Sequence, residues 1–324
     1  VISAETSSAK TTRETKKANR SSYRIFNQAE HFALGWYWAM RSQDLTTKPQ
    51  PLTLLGRELM LSRNSSGEPV TVDAYSPLEA HSPLEAYIEP KRERTSWPTA
   101  EKYGLIWVWT GDDQREIKPL PYVPELHNCD CDSIISGGIY RKCHPNVVLI
   151  NAIDAHHFNS VHNLPIEVQF ETEPLSNSAL QFHNTTRGGD DSIFVRLIRP
   201  LYQNEVTYKL CYWYGSTGTV TVGPDFLHFY LMFTFRPTQD GAAEGQILLI
   251  THRRAGLLGW LFNRLLLGIT WLVASYFALG DGHVFDSIKF DLKVPLAADR
   301  SILQFIKHVE KQPALTWKNW SLMK

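Results

Sequence analysis

Short blocks of apolar residues separated by turn formers run through this chain, but only from Tyr23 onward. Residues 1–22 set Lys10, Arg13, Lys16, Lys17 and Arg20 among serines and threonines, with almost nothing to bury, which predicts a flexible basic tail. The tail has the Arg, Ser and Thr of a transit peptide, although Glu5 and Glu14 count against one, and it lacks the apolar core of a secretion signal. The chain opens on Val1 rather than Met, so the natural start is expected upstream. Phe26 to Met40 is apolar and aromatic. Leu52 to Arg63 reads as a hairpin turning near Gly56, and Glu68 to Tyr75 and Gly104 to Trp109 read as further short strands. Together they predict a small β domain over 23–118. Pro119, Pro121 and Pro124 then mark a linker that opens a second domain over 119–324.

Longer apolar runs fill the second domain. Phe194 to Ile198, Val206 to Tyr214, Thr217 to Val222, Phe226 to Phe235 and Gln246 to Arg253 have the spacing of an antiparallel meander. A His-rich segment precedes them, Asn151 to His162, and a helical pattern at Arg300 to Glu310 follows. A sheet with helices on either side of it in sequence is an α+β fold. Between the last strand and the last helix lies the apolar stretch 256–279. Asn263 and Arg264 interrupt it, and its longest uncharged run, Leu265 to Leu279, has 15 residues. That is short of the roughly 20 needed to cross a bilayer, so a buried or membrane-apposed helix is the expectation.

Composition narrows the function classes. The 324 residues carry 33 Lys+Arg against 33 Asp+Glu, which leaves no broad electrostatic case for nucleic acid or an anionic membrane. Aromatic residues make up 12%, ample for one large core or two ordinary ones. Four cysteines make no disulfide scaffold. Cys129-Asp130-Cys131 has no second pair to complete a metal site, so free thiols in a reducing compartment are expected.

Candidate chemistry concentrates in NAIDAHHFNSVH, where Asn151, Asp154, His157 and His162 follow at spacings of 3, 3 and 5. Imidazoles and a carboxylate so close together suit a divalent metal such as iron. On a regular helix His157 and His162 would stand about 140° apart, so the segment must kink or straddle a helix end for the rings to converge. Two hydrogen-bonded histidines at a domain junction fit the same spacing.

The string resembles the iron-binding signature of the Rieske non-heme iron oxygenases, N-x-x-D-x-x-H-x-x-x-x-H. Phe32-x-x-Gly35-Trp36-Tyr37-Trp38, Val72-Asp73-Ala74-Tyr75, Trp97-Pro98 and Gly104 to Trp109 are similar to other landmarks of that family, in its cyanobacterial and sterol-desaturase-like branch. The resemblance implies a β-rich Rieske-like domain followed by a helix-grip domain, as a homotrimer. It implies mononuclear Fe(II) held by His157, His162 and a distant carboxylate, and a hydrophobic small molecule as substrate. Asp286 is the expected carboxylate, from the aromatic and Lys after it (Phe290, Lys293), with Asp281 and Asp291 as competitors. Asp154 would orient His157 or relay charge, and Asn151 would face the open iron position. His144, His156 and His283 are expected in supporting or structural roles. The expected location is cytoplasmic, or plastid and thylakoid-associated.

One part of the family pattern is missing. A Rieske [2Fe–2S] centre takes two Cys and two His, supplied in the family as C-x-H and C-x-x-H. The first of these motifs should follow Ala74-Tyr75, where this chain has Ser76 and Leu78 in place of Cys and His. Only 21 residues separate Tyr75 from Trp97, filled by a tandem SPLEAH and SPLEAY, and no Cys precedes Cys129. Neither Ser nor Leu replaces thiolate or imidazole as a ligand, so no cluster is expected in this chain. Electrons would then come from a ferredoxin, another protein subunit or a reducing co-substrate. The alternatives are a catalytically inactive pseudo-oxygenase serving as a binding or structural subunit, and a lipid- or pigment-binding module that uses the helix-grip cavity without redox chemistry.

Overall fold

A computed structural model describes residues 32–74, 95–111, 117–162, 168–184, 206–214, 216–224, 227–288, 290, 292, 294–315 and 317; the side chains of Asn159, Val206, Leu279, His283, Asp286 and Ser287 lie outside that description. The tail at 1–22, the positions Ser76 and Leu78, the strand expected at Phe194 to Ile198, and Asp291 and Lys293 also fall outside it.

The first domain is two small antiparallel sheets. One is ordered β1-β7-β6, from β1 (Trp36–Arg41), β6 (Thr99–Lys102) and β7 (Leu105–Trp109). The other is ordered β2-β3-β4-β5, from β2 (Gln50–Leu54), β3 (Arg57–Arg63), β4 (Pro69–Asp73) and β5 (Ser96–Trp97). The hairpin expected near Gly56 forms there, because Leu55 and Gly56 both take positive φ (50° and 75°), as a two-residue turn matching strand twist requires. Leu54, Leu59 and Leu61 bury completely beneath it. Asp73 closes the second sheet: Arg57 grips its carboxylate through two bonds at 2.7 and 2.8 Å, and the Trp97 indole N–H donates to it at 2.8 Å. Burial works against the Asp73 charge, but these donors outweigh it and hold the carboxyl below its usual range.

The second domain is one seven-stranded antiparallel sheet, ordered β8-β14-β13-β12-β11-β10-β9. Its strands are β8 (Cys131–Arg141), β9 (Phe170–Ser176), β10 (Ala179–Asn184), β11 (Val206–Trp213), β12 (Thr217–Pro224), β13 (Phe229–Pro237) and β14 (Ala243–His252). The last four are the expected meander. β8, β9 and β10 went unforeseen: Asp132, Gly137 and Gly138 break the apolar pattern of the first, the second alternates Glu and Thr, and the third sets Gln181, His183 and Asn184 among only three apolar residues. Among the described residues four α-helices accompany the sheet: α1 (Pro145–Asn151), α2 (Ala155–Ser160), α3 (Gly256–Ser287) and α4 (Arg300–Glu310). α4 has the expected bounds and buries Ile302, Phe305, Ile306 and Val309 against Phe182, Tyr212 and Phe235. α3 departs from expectation. At 32 residues it is about 48 Å long and runs well past the 15-residue run that the polar interruptions seemed to leave.

A shared core joins the domains. Trp36, Trp38, Trp107 and Trp109 from the first cluster with Trp213, Tyr214, Met232 and Leu248 from the second. Arg236 on β13 reaches across, donating to the Ala39 carbonyl at 2.7 Å while its guanidinium lies 3.9 Å from the Trp38 ring centroid. Burial lowers the Arg236 pKa, and paired Glu244 opposes that shift.

The pH dependence of stability follows from α4. Burial next to the Lys118 and Lys311 ammonium groups pushes the His308 pKa down to about 4. Above pH 6.5 the ring is neutral in both folded and unfolded chains. As pH falls from 6.5 towards 4 only the unfolded chain takes up this proton, so stability is lost, by about 3 kcal/mol once both pKa values are passed. Chemical denaturation at stepped pH should show His308→Gln losing less stability over that window than the parent.

Candidate metal centre

The His-rich segment converges because its helix is broken. Pro145 starts α1, with the His144 side chain at its N-cap accepting from the Asn146 N–H at 3.1 Å. α1 stops at Asn151. Asp154 then takes an extended conformation, and its Oδ1 accepts the His156 N–H at 3.0 Å, so that a new helix, α2, begins at Ala155. α2 ends at Ser160, before His162. With regular winding interrupted there, the His157 and His162 rings meet edge to face with centroids 4.7 Å apart. The kink expected from the spacing is thus built from an N-cap at one end and a helix terminus at the other.

The third group comes from 119 residues further along. Asp281, near the C-terminal end of α3, places Oδ1 2.7 Å from His157 Nε2 and 3.1 Å from His162 Nε2. The two Nε2 atoms are 3.0 Å apart, and Asn151 Nδ2 lies 3.1 Å from His157 Nε2. Both histidines are buried and the Asp281 side chain is 22% exposed. Protons alone satisfy this cluster poorly. One N–H on His157 Nε2 can point to Asp281, His162 or an acceptor on Asn151, but to one of them only. A cation between the atoms uses every lone pair at once. Three ligands at about 2.1 Å from a metal, mutually at 90°, are about 3.0 Å apart, and the observed edges bracket that value. His157, His162 and Asp281 are the one group of metal-ligating type among the described residues.

The surroundings suit a ligand role. Burial pushes the His162 pKa down against the pull of the Asp281 charge, so the ring stays neutral and able to coordinate. Phe277 packs edge-on to His162 at 4.9 Å, and the Phe158 ring centroid lies 6.4 Å from it. Gly280 lets α3 approach: a Cβ there would lie 3.2 Å from His162 Nδ1, tighter than ordinary packing allows. Tyr208 donates to the Ala152 carbonyl at 3.0 Å, and the nearby Asp281 charge adds to the rise that burial imposes on its pKa.

The expected site residues divide as follows. His157, His162 and Asn151 come together, and Asp154 caps α2. The carboxylate beside the two imidazoles is Asp281, the competitor named from sequence. Asp286 lies five residues on in the same helix with its side chain outside the description, as is that of His283. Gly280 and Tyr208 were not foreseen. The glycine immediately before a candidate ligand was the available signal for the first. His156 is exposed. The ring of His144 stacks on Phe32 at 4.8 Å, a structural contact. All four cysteines are free thiols.

A β domain of two small sheets, followed by a seven-stranded antiparallel sheet with flanking helices, is the fold of the Rieske non-heme iron oxygenases, and the chain's homologues and structural neighbours are such enzymes. No family model matches the chain. It is 26% identical over 181 residues to aminopyrrolnitrin oxygenase PrnD of Pseudomonas fluorescens (44% of this chain, 49% of that protein). To a putative toluene-4-sulfonate monooxygenase system iron-sulfur subunit, TsaM2, of Comamonas testosteroni it is 26% identical over 157 residues (39% and 45%). The chain thus spans about half the length of the curated relatives it matches. Among solved structures, the oxygenase–ferredoxin complex of carbazole 1,9a-dioxygenase superposes with a TM-score of 0.62 at 14% identity, covering 91% of this chain and 94% of that one. Dicamba monooxygenase with non-heme iron and dicamba superposes with a TM-score of 0.53 at 16% identity, covering 88% and 97%.

Three substitutions test the geometry by metal content. Asp281→Ala should lower Fe(II) affinity by roughly tenfold or more in a chelator competition, and Asp286→Ala should change it far less. Gly280→Val should also weaken retention, because the new side chain crowds His162; unchanged affinity would show that α3 can shift without disturbing the site.

Proposed function

We propose that this chain is an oxygenase-type protein with a mononuclear Fe(II) site at His157, His162 and Asp281. The observation that carries this reading is the triangle of 2.7, 3.0 and 3.1 Å edges. When bound, Fe(II) supplies the redox chemistry that activates O₂ for oxidation of an organic substrate. The chain's own residues hold and shield that position. His157 and His162 offer imidazole nitrogens, and Asp281 contributes a carboxylate oxygen. Asn151 turns its amide to the same point and can orient a polar atom there. Phe158, Phe277 and Tyr208 form an apolar surround that limits water. Such walls favour a hydrophobic small molecule. The toluene-4-sulfonate of one relative's name and the carbazole of one neighbour's support an aromatic one.

Electrons come from outside the chain in this reading. No cysteine precedes Cys129, and Ser76 and Leu78 stand where the resemblance puts two cluster ligands. A ferredoxin is the favoured donor, because a structural neighbour was solved in complex with one. The same missing ligands favour a second reading, a pseudo-oxygenase that keeps the iron site and binds without turnover.

Oxygen uptake separates the two readings. With a ferredoxin, its reductase and NADPH, the iron-loaded chain should consume O₂ about tenfold faster than His157→Ala. Equal rates, with iron bound in the parent, would favour the inactive subunit. A Rieske-type EPR signal from the reduced chain alone would overturn the external-donor reading.

A further inference from the structure

α3 is amphipathic in the reverse sense. Two of its polar residues point inward: Asn263 and Thr270, each 1% exposed, face the sheet beside buried Leu266 and Leu267. Asn263 accepts from Arg254 at 2.7 Å and donates to Asp132 on β8 at 2.8 Å. The outward face is apolar, with Leu258 82% exposed, Leu257 73%, Leu265 and Tyr276 62% and Leu272 61%. At 100° per residue these positions and Leu261 cover about 100° of the helix, and Trp260, Trp271 and Arg264 flank one side and widen the face to about 160°. The exposed apolar area is on the order of 1,000 Å², well beyond the few hundred that soluble monomers show.

We propose that this face lies in the surface of a lipid bilayer. Three observations favour lipid over a second protein copy. A partner helix covers a stripe of about 100°, whereas the apolar face here spans about half the helix. Trp260 and Trp271 stand at its edge with Arg264 between them, its guanidinium 5.6 Å from the Trp260 ring, an aromatic-and-cation line suited to the headgroup boundary. No carboxylate occurs from Gly256 to Gly280, while Arg253, Arg254 and Arg264 gather at the helix start. Asp130 and Asp132 offset two of those charges, so the apolar face supplies most of the attraction and anionic lipid adds a little. The segment Gly256–Gly282 is long and apolar enough to span a membrane. Its middle residues nevertheless pack on the sheet and Asp281 reaches the two histidines, so the helix lies flat and does not cross. This inference is independent of whether the site holds iron.

Flotation of the full chain with phosphatidylcholine vesicles, with and without phosphatidylglycerol, tests it. The parent should float with both, and Leu258→Glu/Leu265→Glu/Leu272→Glu should reduce the bound fraction at least tenfold with unchanged circular dichroism. Should that variant fail to fold, brominated lipids give a second measurement: they should quench the parent's tryptophan fluorescence, and Trp260→Phe/Trp271→Phe should lose at least half of that quenching. A parent that does not float, or floats undiminished after the folded Glu variant is made, would overturn the proposal. So would an oligomer, measured by light scattering, that the Glu variant dissociates while neither protein binds vesicles, because the face would then belong to a second copy.

Discussion

Two imidazole nitrogens and one carboxylate oxygen meet at 2.7 to 3.1 Å, and atoms so rich in lone pairs repel unless something positive lies between them. The rest of the second domain is arranged around that constraint. α2 must start at Asp154 and end before His162 so that both rings face one point. α3 must approach closely enough for Asp281 to join them, which is why Gly280 carries no side chain against His162. The sheet fixes the distance between these helices by packing α3 on β8, β13 and β14 and by anchoring Ala152 through Tyr208.

The first domain contributes rigidity at a distance. Its four tryptophans share a core with the sheet, and Arg236 pins β13 to the backbone of β1. The Arg57–Asp73–Trp97 cluster ties together the strand ends on either side of the segment at 75–94. A domain locked in this way keeps its position relative to the cluster of His157, His162 and Asp281 whether or not it passes electrons. The fold therefore serves both the oxygenase and the binding-subunit readings.

Most of this was legible from local pattern. The hairpin at Gly56 followed from a residue that tolerates positive φ, α4 from its apolar period, and the kink at the histidines from the angle that five residues subtend. The edge strands were not legible, because β8 carries glycines and β9 exposed glutamates, and their pairing is set by neighbours far along the chain. The choice of carboxylate was underdetermined for a related reason. Asp281 and Asp286 sit five residues apart on one helix, and only the docking of α3 brings Asp281 to the histidines. The outward apolar face of α3 was hidden by Asn263 and Arg264, which read as interruptions. Asn263 is instead the inner, hydrogen-bonded side of the helix, and Arg264 stands at the edge of the exposed face beside Trp260.

The central claim is that His157, His162 and Asp281 share one iron. Anomalous diffraction at the iron edge, from crystals of iron-loaded protein, tests it most directly. The account predicts a single peak about 2.1 Å from both Nε2 atoms and from Asp281 Oδ1. A peak ligated by Asp286 in place of Asp281, or no peak between the two histidines in protein of full iron content, would contradict it.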